Sequence, residues 1–408
     1  MGFHKRTIKN VPLDNKTILV RVDYNVPLNK DGTIRNDLRI RASLPTIRYL
    51  LRHGCKVVLM SHLGRPDGKR DQKYTLEAVA EHLGSLLKKP VVFVDDCIGD
   101  KVKQAVKRAP KSSVVLLENV RFYPEEEKNS PAFAKKIADA TGARYFVQDA
   151  FGAVHRAHAS TDAIEQFVPG VAGLLVQREY NRITGAMERP KRPLVAVIGG
   201  AKVSDKVALI ERFVEKADKI LIGGAMANTF LSYKGYSMQK SLVEPDQKEV
   251  IDAIYAAART KVGEGGDVDD FIILPTDLAV AVEPSDAAER KEVAIDAIPE
   301  GYAAFDIGAR SIDRIVREVQ GVGTVIWNGT LGFAEVHNFA HGSARLALAL
   351  ATQPDVVSII GGGDTADFVL SWSGDEGKAF THISTGGGAS LELMAGEELP
   401  GIECLLDA

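Results

Sequence analysis

The stretch Leu194–Lys206, LVAVIGGAKVSDK, combines the features needed to hold a polyphosphate. An apolar run of strand character breaks at Gly199-Gly200, and a helix-compatible segment follows with Lys202 and Lys206 four residues apart. On a helix that spacing puts both ammonium groups over one patch. Glycines let a ligand approach the backbone, a helix start offers free N–H groups to an anion, and the lysines add charge. It is not a Walker A loop, because G-x-x-x-x-G-K-[ST] occurs nowhere in the chain.

Further glycine turns follow other apolar runs in the same half. In GGGDTA (Gly361–Ala366), Gly362 and Gly363 admit close backbone approach, and Asp364 opens the next helix. There Asp364 either caps the helix or holds Mg²⁺, directly or through water. In STGGGAS (Ser384–Ser390), Gly386, Gly387 and Gly388 leave amides free at a helix start, a cradle for charge on a transferring phosphoryl group. Gly223-Gly224 after KILI gives a side-chain-free surface suited to an adenine ring. Asn328 and Glu335 flank another glycine turn, placed to bond a nucleotide's sugar and phosphates.

The first half carries a different chemistry. Arg21, Arg39, Arg65, Arg121 and Arg156 recur at or just past strand ends, accompanied by His62, His155 and His158. Arginine's planar fork suits carboxylate and phosphate. Asp23 and Asn25 alternate along an extended segment and point the same way. The set fits a small, doubly anionic molecule with a hydroxyl for Asp23 and Asn25. One such arginine alone reads as a surface ion-pair partner, and each histidine as satisfying a loop carbonyl; none is assigned as a base.

The positioning elements are short β-rich runs alternating with helix-period segments, the pattern of parallel α/β sheets. The strand runs are 18–22, 57–60, 91–94, 114–117 and 145–147, then 194–198, 219–222, 271–274, 324–327, 356–360 and 382–384. Polar and glycine signatures cluster after the runs, where open parallel sheets bind ligands. A domain break is expected around 170–192, with an amphipathic linking helix at 174–187. The expected domains are 1–175, with the tail 396–408 docked back on it, and 176–395.

The 408-residue chain is 45% hydrophobic, enough for large cores. Net charge is +11 through Arg178 and −14 beyond it, so the halves should take different ligands. The basic residues are dispersed and not interleaved with aromatics, which argues against nucleic acid. Three scattered cysteines without C-x-x-C suggest a reducing compartment, and no apolar run suggests a membrane span or signal peptide. A cytoplasmic protein is expected.

With both sets of residues in view, the chain closely resembles the phosphoglycerate kinases over essentially its whole length. RVDYNVP, SHLGRPDG, LLENVRF, DAFGAVHRAH, GGAKVSDK, WNGTLGFAE, GGGDTA and STGGGASLEL occur in that family's order. The resemblance implies two Rossmann-like α/β domains with parallel sheets, joined by a linking helix and separated by a cleft. It implies reversible, Mg²⁺-dependent phosphoryl transfer between 1,3-bisphosphoglycerate and ADP, in glycolysis and gluconeogenesis, by direct in-line transfer after domain closure.

Carried over by position, it places Asp23, Asn25, Arg39, His62, Arg65, Arg121 and Arg156 around phosphoglycerate on the N-terminal domain. The C-terminal domain would hold ATP or ADP through Gly200, Lys206, Gly223, Gly224, Asn328, Glu335, Gly362, Gly363, Asp364 and Thr365, with Asp364 on the metal. Arg39, Lys202, Gly363 and Gly386–Gly388 would surround the transferring group. Tyr24, Thr330 and Ala153-Val154 depart from the commonest pattern without removing a charged contact. A monomer with small-molecule substrates is expected. The rivals are another ATP-dependent carboxylate kinase, a dinucleotide-dependent dehydrogenase, whose G-x-G-x-x-G follows the first strand of neither half, and a two-lobed solute-binding protein, whose expected secretion signal and single ligand site this chain does not show.

Overall fold

The computed structural model describes residues 2–374 and 377–408. The chain falls into two compact units, Met1–Asn181 with Glu398–Ala408, and Arg182–Glu397. The helix Leu174–Glu188 carries the chain from the first to the second.

The first unit is built on six strands: β1 (Thr17–Arg21), β2 (Lys56–Met60), β3 (Val91–Val94), β4 (Val114–Leu117), β5 (Tyr145–Gln148) and β6 (Gly170–Ala172). They form one sheet in the order β3-β4-β2-β1-β5-β6, every pairing parallel. β1, β2 and β4 are buried almost throughout, as expected where helices cover both faces. Ile40, Leu44, Ile47 and Leu50 of the helix Leu38–Arg52 pack into the same core as Val20, Val57 and Val114. The chain runs outward from β1 in both directions, so the order reverses between β1 and β5. Ligands of such sheets sit beyond the strands' carboxyl ends at that reversal.

The second unit repeats this plan with β7 (Leu194–Ile198), β8 (Lys219–Ile222), β9 (Ile272–Ile273), β13 (Thr324–Asn328), β14 (Val357–Gly361) and β15 (His382–Ile383). Their order is β15-β14-β13-β7-β8-β9, again all parallel. The reversal falls between β7 and β13, whose ends are in register, Ile198 with Asn328. Trp327, fully buried on β13, anchors the core and donates its indole N–H to Gly329 O at 2.7 Å.

Two parts of this architecture were not foreseen. β10 (Asp277–Ala281), β11 (Lys291–Ala294) and β12 (Ala303–Ile307) form a separate antiparallel sheet in the order β11-β10-β12. Its strands are rich in Ala and carry Asp, Glu and Lys, poor strand formers that pair here because Leu278, Val280 and Ala304 join a small core with Leu231 and Met238. β6 is the other, three residues within the stretch read as a linker. The tail Glu398–Ala408 belongs to the first unit: Leu406 N–H donates to Gly170 O and Gly401 N–H to Val154 O.

Candidate active site

At the carboxyl edge of the first sheet, Asp23 and Asn25 follow β1, with a tight turn at Asn25 closed by Val26 N–H to Tyr24 O at 2.8 Å, and organise what surrounds them. Asp23 Oδ2 accepts from Arg39 Nη1 at 2.6 Å, and its Oδ1 accepts the Asn25 N–H at 3.2 Å. Asn25 Oδ1 accepts the Gly64 N–H at 2.9 Å, tying the β1 extension to the loop after β2. Arg121, in the turn after β4, reaches the same loop through Nη1 to Gly64 O at 3.0 Å, while Nη2 lies 3.2 Å from Glu127.

Arg65 and Arg156 are exposed, and the charge of each repels that of Arg121, which burial also disfavours and Glu127 partly offsets. Among the described residues neither has a carboxylate partner. Such repulsion is relieved by an anion. His62 is buried behind them, and burial followed by the Arg21, Arg121 and Arg39 charges holds its imidazole well below the ordinary histidine range. Burial also pushes His155 and His158 down to about 4, so all three rings are neutral at pH 7.

The second edge is made of backbone. Gly199, Gly200, Gly224, Gly329 and Thr330 cross at close range. A Cβ on Gly199 would stand 2.0 Å from Thr330 O, and one on Gly329 2.3 Å from Gly199 O. Lys206 closes this layer, its Nζ donating to Gly199 O at 2.8 Å and Asn328 O at 3.2 Å. Burial lowers its ammonium to about 8, opposed by the attraction of Asp364.

Asn328 is buried, and its Nδ2, beside Gly361 and Gly362, has no hydrogen-bond partner among the described residues. Thr365 Oγ1 accepts the Gly329 N–H at 2.7 Å. Gly363 and Gly387 differ from the crossing glycines: nothing lies within 4 Å of where their Cβ would be, and each sits at a helix start. Asp364, in the first turn of the helix Gly363–Ser373, and Glu335 are exposed. No group of three His, Cys, Asp or Glu residues among the described residues could hold a metal.

Several expectations need correction. Lys202 and Lys206 do not share a helix face. Lys202 lies exposed in a bend, Ser204–Lys206 is a single 3₁₀ turn, and the α-helix begins at Val207. Arg21 is not on the anion-facing edge: it is 1% exposed and bonded internally. Gly223 is buried against Leu331, and Gly224 faces Gly200 and Thr330, so packing of the turns is the first reason both lack side chains.

Sequence reasoning also missed Glu244. Its Oε2 accepts from Val203 N–H at 2.7 Å and Ser204 N–H at 3.1 Å, and its Oε1 takes the Ser204 hydroxyl. It anchors the bend that carries Lys202. Glu126 and Ser160, beneath the first edge, were missed too. Single polar residues in loops give no periodic signal.

Two doubly wound α/β units, one with a cationic edge and one edged by glycine turns, match the plan of a two-domain phosphotransferase. The comparisons with known proteins are specific. The family model for phosphoglycerate kinase matches residues 8–397. The phosphoglycerate kinases of Moorella thermoacetica and a Picosynechococcus species are each 47% identical, the first over 99% of both chains and the second over 99% of this chain and all of its own. The solved phosphoglycerate kinase of Coxiella burnetii superposes with a TM-score of 0.83 at 35% identity, covering 98% of each chain.

The chain belongs to the phosphoglycerate kinase family. It is a kinase with a carboxyl group as acceptor, acts on small molecules and uses ATP/ADP as co-substrate. No helix among the described residues is long and apolar enough to cross a membrane.

Proposed function

We propose that Asp23, Asn25, Arg39, His62, Arg65, Arg121 and Arg156 bind 3-phosphoglycerate on the first unit (about residues 1–175 with the tail). The observation that carries this is the pair of exposed arginines, Arg65 and Arg156, each without a carboxylate partner among the described residues and each repelling Arg121, a charge excess that a dianion relieves. Arg39 engages Asp23 through one nitrogen, and the rest of its five-donor fork is free to meet the acceptor carboxylate. Asp23 and Asn25 are placed for the substrate hydroxyl.

The second unit (about 176–395) binds the nucleotide. Asn328 Nδ2, buried without an acceptor, suits a phosphate oxygen. Lys206 adds charge beside it, Glu335 takes the ribose, and Gly200, Gly223, Gly224, Gly362 and Thr365 shape the turns against which the nucleotide lies. Asp364 is a single open carboxylate at a helix start. Mg²⁺ is commonly bound by one or two carboxylates together with substrate phosphates, so the residue fits a metal arriving on its nucleotide. That ion supplies charge neutralisation on the phosphate oxygens.

The nucleophile in either direction is already an anion, so no general base is needed, in keeping with three neutral histidines. Arg39, Lys202 and the amides of Gly363, Gly387 and Gly388 offset charge on the equatorial oxygens during in-line transfer, the buried Gly386 N–H being taken up by Ser384 Oγ at 3.1 Å. Donor and acceptor must come within bonding reach, so closure of one unit on the other is part of the proposal, and closure excludes water. A cytoplasmic monomer completes it, to be checked by light scattering.

The test is purified protein with Mg²⁺-ATP and 3-phosphoglycerate, acyl-phosphate formation being followed as NADH loss through a coupling dehydrogenase. Turnover that vanishes with EDTA and with Arg39→Ala supports the site. Turnover that survives both defeats it.

A further inference from the structure

Arg21 ends β1 at the centre of the sheet, yet its guanidinium turns beneath the cationic edge. Nε donates to Ser160 Oγ at 2.7 Å, Nη1 to Val22 O at 2.6 Å and Nη2 to His62 Nδ1 at 3.1 Å. Behind it, Glu126 is fully buried, accepting from the Ser160 hydroxyl at 2.6 Å and the Ser160 N–H at 3.0 Å, with Arg21 Nη2 at 4.0 Å. The single Ser160 hydroxyl proton is used toward Glu126, so its oxygen is free to accept from Arg21.

A guanidinium has donors and no acceptor. His62 Nδ1 must therefore present its lone pair to Arg21, which leaves the ring's one proton on Nε2. We infer that Arg21, backed by Ser160 and Glu126, is a positioning residue that fixes His62 as a neutral Nε2–H donor toward substrate and does not itself touch substrate. The inference rests on the placement of His62 in the phosphoglycerate site.

The surrounding charges act in the same direction. Arg21 on β1, Arg39 on the helix Leu38–Arg52 and Arg121 after β4 all disfavour a second proton on the ring, and His158 after β5, itself neutral, adds no charge to offset them. The anionic groups nearby are already engaged, Asp23 with Arg39 and Glu126 with Ser160. A histidine left free to titrate would change substrate affinity across the pH range where histidines ionise. One locked as a neutral donor keeps the same hydrogen bond across that range.

The decisive experiment is long-range ¹H–¹⁵N correlation of the histidine rings in the ¹⁵N-labelled full chain, from pH 8 to 5.5, with and without 3-phosphoglycerate. The expected spectrum has His62 Nε2 protonated and Nδ1 unprotonated throughout, with Nε2 shifting when 3-phosphoglycerate is added. A proton on Nδ1, or a doubly protonated ring at pH 6, overturns the inference. The expected tautomer with no response to 3-phosphoglycerate overturns the placement of His62 instead, and leaves the Arg21 bond without a role in binding.

In Arg21→Met, His62 should titrate, and KM for 3-phosphoglycerate should rise about tenfold, the weight of one hydrogen bond to a charged group, and become pH-dependent. KM for ATP should not change, and Arg21→Lys should restore part of the effect. If Arg21→Met leaves Glu126 unpaired and does not fold, Ser160→Ala removes the anchor of Arg21 Nε and should produce the same shift in milder form. Equal rises in both KM values would mark Arg21 as merely structural.

Discussion

The two sheet edges are proposed to solve the same problem, holding an anion, with opposite materials. On the first, side chains do the work, and each is held by another: Asp23 by Arg39, Asn25 by Gly64, His62 by Arg21. On the second, the backbone does it. Crossing turns at Gly199, Gly224 and Gly329 leave no room for side chains, while Gly363 and Gly387 stand at helix starts with open space beside them. A small acid with carboxylate, hydroxyl and phosphate needs directional recognition, which forked and paired side chains supply. A polyphosphate needs many equivalent donors at close range, which amides at helix starts supply.

The comparison can be broken most sharply at the transferring group, to which each edge is proposed to give one cation. Arg39→Ala and Lys202→Ala should each lower kcat by about 10²–10³, as for loss of one transition-state donor, with smaller changes in KM. An unaffected kcat in either variant removes that edge from the chemistry. The next effect separates the two kinds of glycine. Gly199→Ala forces a Cβ to within 2.0 Å of Thr330 O and should cost about 2–3 kcal/mol by urea unfolding. Gly363→Ala meets open space and should change stability by less than about 0.5 kcal/mol. Equal losses would mean that the second edge is not divided into packing and ligand-facing turns.

The smallest effect concerns charge buried in the first unit. Burial raises Asp149 to about 7, against the pull of the N–H groups of Leu175 and Val176 at the start of the linking helix. The folded protein thus holds a proton that the unfolded chain releases near pH 4. This stabilisation is complete below about 4 and is lost as pH rises through about 7. Asp149→Asn keeps the cap and does not titrate, so its urea midpoint should improve relative to wild type between pH 5 and 8. A constant difference would show that Asp149 is ionised throughout.

Much of this was legible without coordinates. Apolar runs such as Val114–Leu117 and Leu194–Ile198 emerged as strands with those bounds, because a strand buried on both faces must be continuously apolar. The clustering of arginines and glycine turns after such runs was legible because parallel sheets leave only their carboxyl ends free for ligands. The antiparallel sheet was not, since β11, KEVA, has no strand signature of its own. The 3₁₀ turn at Ser204–Lys206 was not either. The i, i+4 spacing of its lysines looks helical, but Glu244, distant in sequence, holds the bend before it.

The sequence by itself determined the two-unit α/β plan, the family, and which residue types stand at the strand ends, because periodicity and motif order are local properties of the chain. Tertiary structure alone decided how those residues divide their labour. It buried Arg21 as the partner of His62 while leaving Arg65 exposed, and it filled the faces of Gly199 and Gly224 while leaving Gly363 open. One arginine or glycine is chemically the same as another until the fold sets what lies within a few ångströms of it.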